Sequence, residues 1–287
     1  MRAEAGDHYV QLNPIYDKAI TPKNLLKLLM EEFPQFNSYN CKQIKNTAFP
    51  NDLLELEMKL MIKGYKFGIV YAKDNQKNED EFFSNNEVGE DLEEFLEFIG
   101  DKIELQGYQG YAGGLDVHKN TTGKYALASH FESFSILFHV STFLPFDPDD
   151  EQQVSRKRHI GNDIVVIVFQ EKGANAAFDP LSIRSFFNQV YIVVRKDHEL
   201  SAEKGKTYYR IAVSYKDGVE MCGPGLPSPP ILEKGELLKK WFYTKLINCE
   251  RSSYLSPHFS KVLSRTRREL LQVLYEKYYP KPTGGWT

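Results

Sequence analysis

The stretch from Gln152 to Gln170, QQVSRKRHIGNDIVVIVFQ, most constrains what this chain can fold into. Ile164 to Phe169 is an unbroken run of β-branched and aromatic residues, the pattern of a strand covered on both faces. The charged segment before it reads as a helix. Asp147 is a good N-cap, and Pro148 suits the first helical position, where its missing N–H costs nothing. Asp149, Asp150 and Glu151 would sit at the positive end of the helix dipole, with Arg156, Lys157 and Arg158 at the negative end. Gly161 is the residue type usually found just past a helix C-terminus. A helical phase carried to the joint places Ser155, Arg158, His159 and Asn162 on one side. That is a polar constellation at the lip of a sheet, where α/β proteins tend to keep their sites. The simpler account is a capped helix whose basic end complements its own dipole, with Asn162 as a turn residue.

The flanking segments suggest layers of helix and sheet. Apolar spacing predicts helices from Thr21 to Glu32, Asp52 to Ile62, Glu90 to Phe98, Leu181 to Phe187, Glu236 to Cys249 and Pro257 to Tyr279. Strands are expected at Tyr65 to Tyr71, Tyr125 to Phe131, Phe134 to Ser141, Val190 to Arg195 and Thr207 to Ser214, with a charged hairpin loop over 196–206. Gly223 to Pro230 is proline-rich and reads as an extended connector. The order points to an α/β or α+β layer structure. The weakest break in composition, near Gly100 to Gly107, divides the chain into a subdomain over 1–105 and a core over 106–287.

Composition narrows the function. Thirty-six basic residues against thirty-nine acidic ones leave a formal charge of −3, so bulk charge favours neither nucleic acid nor a membrane surface. Cys41, Cys222 and Cys249 are odd in number and widely spaced, which suggests a reducing, cytoplasmic setting without structural zinc or a disulfide framework. No apolar run approaches the ~20 residues of a membrane helix. Met1 to His8 lacks the apolar core of a signal peptide. Gly107 to Gly114 carries four glycines. The chain has no G-x-x-x-x-G-K-[ST], however, since His118 stands where Gly123-Lys124 would need a glycine. That loop therefore reads as a turn, and the chain as one that does not bind GTP itself. His139, between Phe138 and Val140 in an expected strand, reads as a satisfied structural histidine.

Lys157-Arg158-His159-Ile160-Gly161-Asn162-Asp163-Ile164-Val165 resembles the signature of the Rap GTPase-activating protein domain, which tuberin also carries. Gly113-Gly114-Leu115-Asp116, Phe138-His139-Val140-Ser141-Thr142 and Thr244-Lys245-Leu246-Ile247-Asn248 resemble the same domain in compatible order. The likeness runs from about Tyr65 to Tyr278. It implies a G-domain-like central mixed sheet flanked by helices but without a nucleotide site. It also implies an N-terminal α+β subdomain that can mediate dimers.

Members insert an asparagine into the GTPase to position the attacking water, and they use no arginine finger. The resemblance therefore implies that Asn162 is the catalytic residue, the "Asn thumb". His159 would hold the loop or meet the GTPase, and Lys157 and Arg158 would contact its surface. Arg156, Lys66 and Asp163 complete the expected binding and supporting set. A carboxamide suits the task, because one head presents both an acceptor and a donor. On this reading the chain is an activator in trans, with no turnover, metal or cofactor of its own. The partner carries Mg-GTP, and recruitment to membranes would come through that partner or regions outside this chain. Gln152-Gln153, FHVST and TKLIN look closer to the Rap-directed branch, with Rheb as the alternative target. A non-catalytic GTPase-binding scaffold is the rival of a different class. A hydrolase in its own right is disfavoured, because nothing places a nucleophile beside a base.

Overall fold

The apolar run after Asp163 becomes a strand buried at every position because it lies in the middle of an eight-stranded sheet. The computed structural model describes residues 44–60, 62, 64–173 and 177–279, with short stretches before residue 44. It divides into two compact units, 62–260 and 1–61 with 261–287. The expected division at residue 105 falls inside the larger unit, where the strand just before it is paired into the sheet.

In the larger unit the strands are β1 (Gly64–Ala72), β2 (Asp101–Glu104), β3 (Tyr125–Phe131) and β4 (Phe134–Val140). They continue with β5 (Val165–Gln170), β6 (Val190–Lys196), β7 (Tyr208–Tyr215) and β8 (Ile231–Glu233). Their order across the sheet is β8-β7-β6-β5-β1-β4-β3-β2. The four central strands β6, β5, β1 and β4 run parallel, and both flanks are antiparallel, so the sheet is mixed as expected.

Helices cover both faces, which is what a parallel centre requires. Alternate residues of β5 divide between the two layers. Val165, Ile167 and Phe169 join a core with Leu92, Phe95 and Phe242, while Val166 and Val168 join a second core with Phe82, Phe83 and Ile160. The first layer is built by α3 (Glu90–Ile99) and α6 (Glu236–Leu255), the second by α2 (Glu79–Phe83) and α4 (Val154–Ile160). Phe95 anchors the first, with its ring 5.2 Å from Phe169 and 5.6 Å edge-on from Phe242.

Two local expectations are corrected. Residues 196–206 are not a hairpin loop. Asp197 accepts from the Leu200 amide, Gly205 takes the left-handed closing position at φ 64°, and α5 (His198–Lys204) forms between them. Leu181 to Phe187 is not a helix. Only a 3-10 turn forms at Pro180–Ser182, because the Ser185 hydroxyl accepts from the Phe187 and Asn188 amides and turns the chain back toward the sheet.

In the smaller unit the described elements include α1 (Phe49–Leu60), the part of α7 (Pro257–Tyr278) beyond residue 260, and a short antiparallel pair of Arg2–Ala3 with Gly6–Asp7. Phe49 packs edge-on against Tyr278 at 5.2 Å, and Arg267 pairs with Glu57 at 2.6 Å. Of the helix expected from Thr21 to Glu32, Asn24 to Lys27 and Met30 are helical, while residues 22–23, 28–29 and 31–32 lie outside the described residues. Among the described residues, no helix is long and apolar enough to cross a membrane.

Candidate functional site

The basic helix starts later than its sequence suggests. Residues 147–153 form a polar loop, and α4 begins at Val154. The carboxylates and the glutamine compete with the backbone for its own hydrogen bonds. The Gln153 amide donates to the carbonyls of Asp147 and Asp150, and Gln153 itself sits in the left-handed region at φ 49°. Asp150 then accepts from the Val154 amide at 2.8 Å and caps the shortened helix.

Arg156 is not a surface group. It is 0% exposed. Its guanidinium donates to the carbonyls of Phe83, Asn85 and Leu144 and to Asn86 Oδ1, at 2.7 to 3.3 Å, and lies over the Phe146 ring. Burial alone lowers its pKa to about 10. This expected contact residue therefore ties α4 to the segment after α2. Lys157 is also engaged, with its ammonium held by Glu79 at 3.2 Å and by Asp80.

Beyond α4 the chain turns sharply. Gly161 is not left-handed: its φ is −63°, and a Cβ there would lie 2.6 Å from the Lys157 carbonyl. The glycine is needed for close backbone approach rather than for positive φ. The Asn162 amide donates to His159 O and the Asp163 amide to Ile160 O, both at 3.0 Å. The exposed Asn162 side chain folds back so that Nδ2 donates to Arg158 O at 2.7 Å. Its Oδ1 has no protein donor among the described residues and is the free half of the carboxamide.

Under this turn lies Asp163, 0% exposed. Lys66 Nζ donates to its Oδ1 at 2.6 Å and to the Asn162 carbonyl at 2.7 Å. His139 Nδ1 meets its Oδ2 at 2.8 Å, and His139 Nε2 faces Gly113 O at 3.2 Å. One carboxylate thus binds β1, β4 and the turn together, and the glycine loop expected only as a turn supports the histidine. His139 is buried, and both its ring nitrogens face partners.

Three contributors escaped the sequence reading. Gly68, beside His139 and Val166 in register, leaves room for the carboxylate: a Cβ on it would lie 2.9 Å from Ile160 Cγ2 and 3.2 Å from Asp163 Oδ2. Asn188 Nδ2 donates to Ile160 O and Asp163 O at 2.9 and 2.5 Å. Ser185 Oγ donates to Gly161 O at 2.7 Å. None of the three stands in the KRHIGND run. Ser185 and Asn188 could have been found only as polar residues interrupting an apolar segment. Their loop also exposes Leu181 (83%) and Phe186 (70%) beside the Asn162 turn, along a cleft of about 730 Å³.

His159 packs edge-on against His139, with centroids 5.6 Å apart, and its Nε2 accepts from Arg158 Nε at 3.2 Å. Burial, then the neighbouring positive groups, lower its pKa to about 4. Arg158 remains exposed. The Asn162 turn sits before the amino end of β5, level with His139 at the carboxyl end of β4.

A sequence profile described as Rap/ran-GAP matches residues 82–268, which include α4, Asn162 and Asp163. The chain belongs to the Rap/ran-GAP family. It is 38% identical over 265 residues to a chicken (Gallus gallus) GTPase-activating Rap/Ran-GAP domain-like protein 3, covering 92% of this chain and 28% of that one. It is 32% identical over 321 residues to the Dictyostelium discoideum RapA guanosine triphosphatase-activating protein 1, covering 93% of this chain and 30% of the relative. The chain therefore spans less than a third of either relative. Among solved structures, that of the TSC2 GAP domain matches at 28% identity with a TM-score of 0.56, covering 70% of this Rap/ran-GAP chain and 99% of the other. Lys66 lies ahead of the profile match, yet the fold delivers it to the turn.

Two outcomes follow from this packing. Gly68→Ala should lower unfolding free energy by about 1–3 kcal/mol, read as a reduced urea midpoint, because Ile160 and Asp163 must both shift. A histidine whose folded pKa is depressed to about 4, from about 6.5 when unfolded, favours the neutral form in the fold. Its contribution is complete above pH ~6.5 and is lost as pH falls toward ~4. Buried Glu250, raised to about 7 by burial, works in the opposite direction over much of that window. The parent and a His159→Gln variant should therefore be compared by thermal melts from pH 7 to pH 4, and the stability difference between them should shrink as pH falls.

Proposed function

We propose that this chain accelerates GTP hydrolysis by a small GTPase of the Rap type, with Asn162 positioning the attacking water. The observation that carries the reading is the Asn162 carboxamide itself. It is exposed, its Nδ2 is held by Arg158 O, and its Oδ1 has no protein donor among the described residues, on a turn fixed by Asp163, Ser185 and Asn188.

Hydrolysis needs a water held in line with the γ-phosphorus and little covalent help, so positioning supplies much of the effect. With Nδ2 engaged, Oδ1 is a fixed acceptor for a water O–H. The short side chain cannot search, so the backbone does the aiming. The clamp under it limits that backbone to one geometry. Mg-GTP belongs to the partner, because this chain has no phosphate-cradling motif.

Partner contact divides among the other residues. Arg158, exposed at the rim, meets the GTPase and affects on-rate and register. His159 and Lys66 support the turn from inside, and Lys157 steadies α4 through Glu79. Leu181 and Phe186, beside the same turn, provide apolar contact where the partner must approach if Asn162 is to reach its water. Rap is favoured by the branch-like motifs and by the name of the Dictyostelium relative, and Rheb is the second candidate.

The test is single-turnover GTP hydrolysis on purified Rap, Ras and Rheb. The parent should accelerate Rap, and Asn162→Ala should lose about 100-fold or more in rate while retaining binding. A Rheb response would move the target but leave the mechanism. No response from any GTPase, or an Asn162→Ala protein as active as the parent, would replace this reading with the scaffold. Phe186→Ala should instead weaken binding about tenfold, ~1.4 kcal/mol, with little change in the saturated rate.

A further inference from the structure

Cys222 and Cys249 stand 27 positions apart, and nothing in that spacing pairs them. In the fold their sulfurs are 3.4 Å apart and unbonded. Cys249 is fully buried on α6, and Cys222 is partly open in the loop between β7 and β8. That loop is fixed to the helix on both sides of the thiols. Lys245 Nζ donates to the carbonyls of Cys222 and Pro224 at 2.5 and 3.0 Å, Asn248 Nδ2 to Gly223 O at 2.9 Å, and Ser252 Oγ to Glu220 O at 2.6 Å. The Tyr215 hydroxyl lies 3.7 and 3.8 Å from the two sulfurs.

We infer that Cys222 and Cys249 form a thiol–disulfide exchange site, closed to one intramolecular disulfide by a low-molecular-weight disulfide of the glutathione type and reopened by the corresponding thiol. The entry thiol is Cys222, since it alone of the pair meets solvent. Its neighbours also favour its thiolate: the Cys249 thiol, then the Tyr215 hydroxyl and the Lys245 ammonium, lower its pKa, while the contact with Cys222 and burial raise that of Cys249.

The exchange balances in two displacements. The Cys222 thiolate attacks one sulfur of the small disulfide, forming a mixed disulfide and expelling a thiolate. Cys249 then gives up its proton and attacks the Cys222 sulfur, which forms the protein disulfide and expels the second small thiolate. Two protein thiols are oxidised by two electrons, one small disulfide is reduced, and the two released protons end on the two small thiols. The clamps on the loop keep the sulfurs adjacent, so the second step needs only a short movement.

The experiment uses the full chain with Cys41→Ser, which removes the third thiol, equilibrated with oxidised and reduced glutathione and then digested without reductant. The expected product is a Cys222–Cys249 linked peptide, without a retained glutathionyl group, that disappears on adding dithiothreitol. With Cys249→Ala as well, one glutathionyl group should persist on Cys222. Either of two results overturns the inference: a stable Cys222 adduct in protein that still has Cys249, or thiols that react only under denaturing conditions.

Discussion

The arrangement depends on one buried carboxylate. Asp163 is fully enclosed, and both its oxygens are taken, one by Lys66 on β1 and one by His139 on β4. Removing one partner from such a group is expensive, about 3–5 kcal/mol for a buried pair, because the other charge is left without compensation. The turn that carries Asn162 is therefore tied to two central strands at once. Lys66 strengthens the tie by also holding the Asn162 carbonyl. Ser185 and Asn188 close it from the third side, through the carbonyls of Gly161, Ile160 and Asp163.

On the proposed reading, that rigidity is what would let a short amide serve another protein's reaction. The turn projects from the amino end of β5, and Asn162 on it is exposed. Basic residues near it have different tasks despite their adjacency in sequence. Arg156 is a buried tie-bar, Lys157 is paired with acids of α2, and Arg158 alone of the three remains exposed. A change at any one of them should not be read as a change in surface charge alone.

Much of the sheet was legible because its strands carry strong local signals. Ile164 to Phe169 could be little but a covered strand, and the pair around Glu132-Ser133 is joined as its alternation suggests. The segments that misled are those where side chains compete with the backbone. Asp147 and Pro148 look like a helix start, yet the Gln153 side chain takes the Asp147 and Asp150 carbonyls, Asp150 takes the Val154 amide, and the helix starts only at Val154. Leu181 to Phe187 has helical spacing, but Ser185 and Asn188 spend their hydrogen bonds on the Asn162 turn. The joint between basic helix and buried strand, where Asn162 stands exposed, was legible in the sequence. The space that Gly68 leaves for Asp163 was not, because it depends on the register of three strands.

The most direct measurement is the structure of this chain bound to its GTPase with GDP and a planar fluoride mimic of the transferred phosphoryl group. The account predicts Asn162 Oδ1 within hydrogen-bond distance of the in-line water, Nδ2 still on the Arg158 carbonyl, and Asp163 still shared by Lys66 and His139. A complex with Arg158 reaching the fluoride instead, and Asn162 turned away from the water, would contradict it.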